Sequence, residues 1–342
     1  QVGSNRGKSS RGVFLSGSAE TMVVVEGAGH ADAEVARQSL IRRWRRLSRH
    51  GIADAFEKNP ARCRRLVLRG VPEDLRWEVW QAAVGSKKRY RPSQYRELLA
   101  QETTWSRLIE LDAPRTFPDV AAFNSCYLES LRRVLRAYAV FNPTVGYCQG
   151  MNFVVGLLLL VSKRAEEEVF WVLLSLMEGC GLNGFYAEGF PVLRTYMLAF
   201  GRLFDNSVPD LARHFEQEGV QPTDFLHQWY LTLFVTSFPL PTVCILWDGI
   251  LSCGLPLILS IAVSILRSMK HRLLCGSFED ILSFLRTLNK GVGSDADAVQ
   301  LGRLLLRKSD TLEVPFKVRH GLPRISSCDN EDQYVEEDIE AS

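Results

Sequence analysis

Apolar residues recur three or four positions apart along most of the chain. The clearest stretch is residues 120–141, where Val120, Phe123, Tyr127, Leu131, Val134, Tyr138 and Phe141 form one stripe and Arg132, Arg133 and Arg136 take the other face. A period near 3.6 predicts an amphipathic helix there, and such a stripe needs a partner to bury it. Pro72 followed by Glu73 and Asp74 predicts a helix start, because proline is tolerated in the first turn and acids favour its positive end. Gly85 predicts the stop. The same signals predict further helices at about 92–102, 104–111, 147–162, 165–179, 190–204, 208–218, 222–238, 241–252, 255–271, 278–289 and 295–308. Only Thr21–Glu26 is a run of β-branched character, and no segment repeats at a fixed period. The expected class is all-α, with short helices packed around one or two cores.

Composition narrows this. The chain has 342 residues, 46% hydrophobic and 23% charged, with 41 Lys and Arg against 39 Asp and Glu. That excludes a disordered polymer and argues against a surface built for nucleic acid. The formal charge of +2 hides an asymmetry. Residues 329–342 hold seven acids and no Lys or Arg, so the rest of the chain carries +9. We expect residues 1–30, rich in Gly and Ser, to be flexible, and 325–342 to be a solvated acidic tail. Gln1 in place of methionine suggests a piece of a longer chain.

Arg37, Arg42, Arg43, Arg45, Arg46 and Arg49 accompany Val35, Leu40, Ile41, Trp44 and Leu47 at helical spacing. This predicts a basic amphipathic helix over 37–49, which is either a solvated face above a packed Trp44 stripe or a contact for an anionic membrane. From Phe225 to Leu266 the only acid or base other than His227 is Asp248. Pro239, Pro241 and Pro256 break that run, so buried helices are expected and no transmembrane segment. Eight cysteines lie at 63, 126, 148, 180, 244, 253, 275 and 328 without a Cys-x-x-Cys pair. Neither zinc nor a disulfide framework is expected, and a reducing cytoplasmic compartment is.

Common catalytic signatures are missing. Gly3 to Ser9 is one residue short of a phosphate loop, no Gly-x-Ser-x-Gly or His-Glu-x-x-His occurs, and Gly291-Val-Gly293 reads as a turn. The chain is not expected to hold its own nucleotide, metal or cofactor.

Three segments carry chemistry instead. On a helix begun at Pro72, Arg76 and Trp80 share a face. In Leu108-Ile-Glu-Leu-Asp112-Ala-Pro-Arg115-Thr-Phe-Pro118, Pro114 is expected to end a helix by holding Ala113 extended. Arg115 then sits on a short stiff loop with Asp112 near enough to orient it. In Asn142-Pro-Thr-Val-Gly-Tyr147-Cys-Gln149-Gly150-Met-Asn152, a turn leads into an apolar helix whose first turn is expected to hold Gln149 and Gly150. A neutral amide there can both donate to and accept from one water molecule. Each segment also has a structural reading: an exposed cation over an indole, an Asp–Arg loop staple, a helix-capping Gln.

In this order, Arg76-x-x-x-Trp80, Ile109-x-x-Asp112-x-x-Arg115 and Tyr147-x-Gln149 resemble the three motifs of the TBC family of Rab GTPase-activating proteins. Trp229-Tyr230-Leu231-Thr232-Leu233-Phe234 and Trp247-Asp248 resemble its downstream helices. The likeness runs from Leu68 to the low 300s. It implies a single TBC-like domain of about fifteen short helices over 31–312, with a motif-bearing core at 68–254 and two lobes at about 31–165 and 166–312. It also implies a GTP-bound Rab partner that carries GTP and Mg²⁺, with Arg115 as arginine finger and Gln149 as glutamine finger. Asp112, Arg76 and Tyr147 would form a supporting shell with Trp80 packed behind. Two departures stand out. Family members often have Arg-x-Trp-Asp where this chain has Ile245-Leu246-Trp247-Asp248, and Glu-Gly where it has Cys253-Gly254. The alternative function is a non-catalytic helical scaffold that binds a Rab or another small GTPase.

Overall fold

The computed structural model describes residues 30–312. The Gly3–Ser9 stretch, the Thr21–Glu26 run, Cys328 and the acidic tail lie outside the described residues. Within them are nineteen α-helices, two 3₁₀ turns and one π segment, and no strand. The larger number of helices reflects five short ones that the pattern did not set apart: Ile52–Lys58, Pro60–Val67, Ser86–Arg89, Asn183–Tyr186 and Lys270–Leu273.

Local signals place several helices well. Helix Glu73–Val84 begins after extended Pro72 and ends at Gly85, whose φ of 67° is the left-handed conformation of a helix terminus. Other boundaries move for identifiable reasons. The stripe starting at Val120 becomes helix Ser125–Phe141, because the Asn124 side chain accepts from the Cys126 amide and starts the helix there. Phe123 is still buried, but from the preceding turn. The expected helix over 165–179 stays α-helical only through Glu166–Leu174 and widens into a π segment at Ser175–Gly179. The 222–238 segment is helical only over Thr223–Leu231, since Leu233 and Phe234 adopt φ of 46° and 67°. Its neighbours Leu240–Cys253 and Leu257–Ser268 are likewise separate. Among the described residues no helix is long and apolar enough to cross a membrane.

One apolar cluster runs through most of the molecule, from Trp80 to Leu305, around the paired helices Ser125–Phe141 and Met151–Val161. A smaller one gathers Trp44, Ile52, Leu66, Val67, Val71 and Val79. It covers Leu40, Trp44 and Leu47 of helix His30–Leu47, where the Trp44 indole donates to the Gly70 carbonyl at 3.0 Å, while Val35 is exposed. Arg42, Arg43, Arg45, Arg46 and Arg49 remain exposed above it. The packed-stripe reading of this helix therefore holds for Trp44.

Candidate functional site

Helix Ser106–Asp112 ends ahead of Pro114 as expected, but Ala113 is not extended. Ala113 keeps a helical conformation (φ −55°, ψ −47°), and Ala113–Arg115 continue as a single 3₁₀ turn. Proline at the start of a new turn forfeits only an amide that has no partner there anyway, so Pro114 is accommodated. The chain becomes extended only at Thr116. Arg115 thus projects from the end of a helical extension, with its side chain 72% exposed.

Asp112 faces the interior. One carboxylate oxygen accepts from the Tyr147 hydroxyl at 2.8 Å, and the other lies 3.9 Å from the Arg115 guanidinium. That second distance is a loose ion pair, too long for a hydrogen bond, so Asp112 biases Arg115 without immobilising it. Burial, then the bond to Asp112, pushes the Tyr147 phenol far above its ordinary value. It remains a hydrogen-bond donor at every physiological pH.

Gln149 and Gly150 lie in a turn before the helix; Met151 is the first helical residue. The displacement has a backbone cause. Gly150 has φ of 110°, and a Cβ there would sit 2.9 Å from the Leu231 carbonyl oxygen. Only glycine meets both demands. Leu231 offers that carbonyl because its helix ends there, and the Tyr186 hydroxyl also donates to it at 2.6 Å. Gln149 is left exposed beside a fixed glycine.

Asn152 joins the two segments. Its Nδ2 donates to Thr116 Oγ1 at 2.8 Å, and its Oδ1 accepts from the Gly150 amide at 3.0 Å. Thr116 follows Arg115 in the chain, and Gly150 follows Gln149. The Thr116 hydroxyl also donates to the Asp112 carbonyl at 3.1 Å. Gly156, one turn along the same helix, lets the Thr116–Phe117 segment approach: a Cβ there would meet the Phe117 ring at 2.8 Å and the Thr116 methyl at 3.0 Å. At the other end of the turn, Glu178 in the π segment accepts from the Asn142 amide at 2.9 Å, from Tyr138 at 3.1 Å and from Asn183 at 3.1 Å.

Arg76 and Trp80 meet elsewhere. The Arg76 Nε donates to Asp248 at 3.1 Å, and the Trp80 indole donates to the same oxygen at 2.8 Å. Burial pushes Asp248 up to about 6, against the pull of Arg76 and Trp80. Burial likewise opposes the Arg76 charge, but Asp248, with smaller help from Cys244 and Glu73, holds that guanidinium above its ordinary value. Arginine stays charged throughout, so the proton that moves in this pair is the one on Asp248. The structure therefore brings together Tyr147, Asp112 and Arg115, and joins Arg76 and Trp80 to Asp248. A longer path connects the groups. Trp80 packs on Trp247 with ring centroids 5.4 Å apart, and the Trp247 indole donates to Leu233 O at 2.9 Å, in the turn just after Leu231. Sequence reasoning had not assigned Asn152, Glu178 or Asp248 to the site. Two signals were available: Asn152 is a lone amide opening an apolar run, and Asp248 is a lone carboxylate in another, each needing a buried partner.

A family profile described as the Rab-GTPase-TBC domain matches residues 73–274. The chain belongs to that family. It is 34% identical over 244 residues to the Rab GTPase-activating protein eat-17 of Caenorhabditis elegans, covering 70% of this chain and 27% of that protein. It is 30% identical over 259 residues to growth hormone-regulated TBC protein 1 of Xenopus tropicalis, covering 73% and 74%. The Drosophila melanogaster ecotropic viral integration site 5 ortholog is 32% identical, and the match spans 31% of its length. The chain thus spans about a third or less of the larger relatives. A crystal structure of the Chlamydomonas flagellar RabGAP TBC domain matches with a TM-score of 0.70 and 27% identity, over 82% of this chain and 92% of that one. Arg115, Asp112, Tyr147 and Gln149 all fall within the matched TBC segment. No group of three or more His, Cys, Asp or Glu among the described residues is placed to hold a metal ion.

Proposed function

We propose that this chain accelerates GTP hydrolysis by a GTP-bound Rab family GTPase, through a unit spanning residues 31–312. The partner brings GTP and Mg²⁺, and this chain supplies two side chains. Arg115 enters the partner's nucleotide site and stabilises the negative charge that develops on the transferring phosphoryl group; Gln149 orients the attacking water. An arginine finger is worth about 10³ to 10⁵ in rate, or roughly 4–7 kcal/mol of barrier.

One observation carries this reading. Arg115 and Gln149 are both exposed, and the residues that follow them are joined by a single buried amide, Asn152. Side chains open to a partner on a backbone fixed from within lose little freedom on engagement. A scaffold that only binds a GTPase has no chemical use for such a pair. Single-turnover phosphate release from a panel of GTP-loaded Rab GTPases separates the two functions. Acceleration of at least one member supports the activator; binding without acceleration across the panel supports the scaffold.

The exposed arginines of the His30–Leu47 helix also suit contact with an anionic membrane surface on the cytoplasmic side. Since Trp44 is already buried, such contact is electrostatic, and liposome binding is expected to fall steeply with added salt.

A further inference from the structure

Helix Ser106–Asp112 presents two leucines that the fold leaves uncovered. Leu108 is 46% and Leu111 53% exposed, whereas Ile109 between them is fully buried. Glu110 is held to one side by an ion pair with Arg132 at 2.6 Å. Among the exposed large apolar side chains of the described residues, these are the two that share one helix.

Their position relative to Arg115 gives them meaning. The 3₁₀ turn prolongs the helix, so Leu108, Leu111 and Arg115 follow at spacings of three and four and lie along one face. At about 1.5 Å per residue in the α-helix and 2 Å in the 3₁₀ turn, Leu111 is roughly 7 Å and Leu108 roughly 12 Å from Arg115 along the axis. A guanidinium must come within about 3 Å of a phosphate oxygen to act on it. A GTPase close enough to receive Arg115 therefore lies over the adjoining turns of the same face.

We propose that Leu108 and Leu111 are docking contacts for the GTPase that receives Arg115, and that they meet an apolar patch on its surface. This rests on the proposed function and divides the labour within it. The leucines contribute binding that is equal in the ground and transition states, and Arg115 contributes to the transition state alone. Removing uniform binding raises KM with kcat unchanged. The pair also discriminates among GTPases, because one with a charged or polar surface at that place would leave the leucines against unpaired polar groups.

The test is single-turnover hydrolysis, titrated with this chain, on the GTPase that the wild-type protein stimulates most. Binding of the panel loaded with a non-hydrolysable GTP analogue is measured in parallel. Leu108→Asp/Leu111→Asp is expected to lower kcat/KM about 10-fold or more through KM, with kcat within about 2-fold. Leu108→Ala/Leu111→Ala should shift KM in the same direction by less, which covers the case of a misfolded aspartate variant. Leu198→Asp, at a leucine 71% exposed on helix Pro191–Ser207, is the matched control and should change nothing. An unchanged KM and analogue affinity in both leucine variants overturns the docking contact while leaving the activator reading intact. If the wild-type chain binds a GTPase without accelerating it, the activator reading fails, and the contact stands or falls on whether the variants weaken that binding. Neither acceleration nor binding anywhere in the panel overturns both.

Discussion

The amide of Asn152 donates to the hydroxyl of Thr116 at 2.8 Å, 36 residues away, and both side chains are shut off from water. Because Asn152 also holds the Gly150 amide, it ties the backbone beside Arg115 to the backbone beside Gln149. Asn152→Ala leaves a buried amide and a buried hydroxyl short of a partner. It is expected to cost about 1–3 kcal/mol of stability. The stimulated kcat should fall more than KM rises, since the two proposed fingers, Arg115 and Gln149, remain but their mutual placement loosens. Chemical denaturation and a KM-against-kcat comparison check the two parts, and a uniform rise in KM alone would point to a different role.

Gly150 offers a backbone counterpart. Its φ of 110° and the Leu231 oxygen 2.9 Å from a would-be Cβ both oppose a side chain. Gly150→Ala is expected to destabilise the fold by roughly 1–3 kcal/mol and to lower kcat by moving Gln149. Gly219→Ala makes a useful reference: φ is 75° there, but nothing lies within 4 Å of the added methyl and neither Arg115 nor Gln149 is adjacent. It should lose stability without a specific loss of kcat.

The Tyr147 hydroxyl tests Asp112 as an orienting group. Tyr147→Phe removes the 2.8 Å bond while keeping the buried ring. A stability change of about 0.5–1.5 kcal/mol is expected, together with a lower kcat as Asp112 turns away from Arg115. Thermal unfolding and single-turnover rates measure both, and an unaltered kcat would leave Asp112 without that function.

Asp248 predicts a pH dependence. Its folded value of about 6 lies above the ordinary 3.8, so between those values the folded chain binds a proton that the unfolded chain does not. This group therefore adds stability as pH falls from 7 through 6 toward 4, and withdraws it as pH rises. Asp248→Asn keeps an acceptor for Trp80 but removes the charge opposite Arg76, at a cost of about 3–5 kcal/mol at neutral pH. Urea unfolding of both proteins at pH 7, 6 and 5 should show the wild-type advantage growing toward acid. A constant or shrinking gap would mean that Asp248 keeps its charge well below 6.

The all-α class and the Glu73–Val84 helix were legible because they depend on local signals: apolar period, proline at the start and glycine at the end. So were Arg115 and Gln149 as candidates, through the family's motif spacing. What was not legible depends on contacts distant in sequence. Arg76 and Asp248 are 172 residues apart, and nothing beside Arg76 indicates which carboxylate it meets. Gln149 was expected inside a helix because an apolar run, Phe153–Val161, follows it, but Gly150, with φ of 110° and its amide bonded to the Asn152 side chain, lies outside that helix. The 222–238 segment broke for a similar reason: the Trp247 indole takes up the Leu233 carbonyl, which frees the backbone to turn.

The most direct measurement is single-turnover GTP hydrolysis by the best-stimulated Rab with wild-type, Arg115→Ala, Arg115→Lys and Gln149→Ala proteins. With 72% of the Arg115 side chain exposed and only a loose ion pair to lose, the variants should fold as the wild type does. Arg115→Ala should remove about 10³-fold or more of the stimulated rate while keeping much of the Rab affinity. Arg115→Lys should fail similarly, since a point charge does not replace a planar fork. Gln149→Ala should lower the rate substantially. Full stimulation by Arg115→Ala would contradict the account.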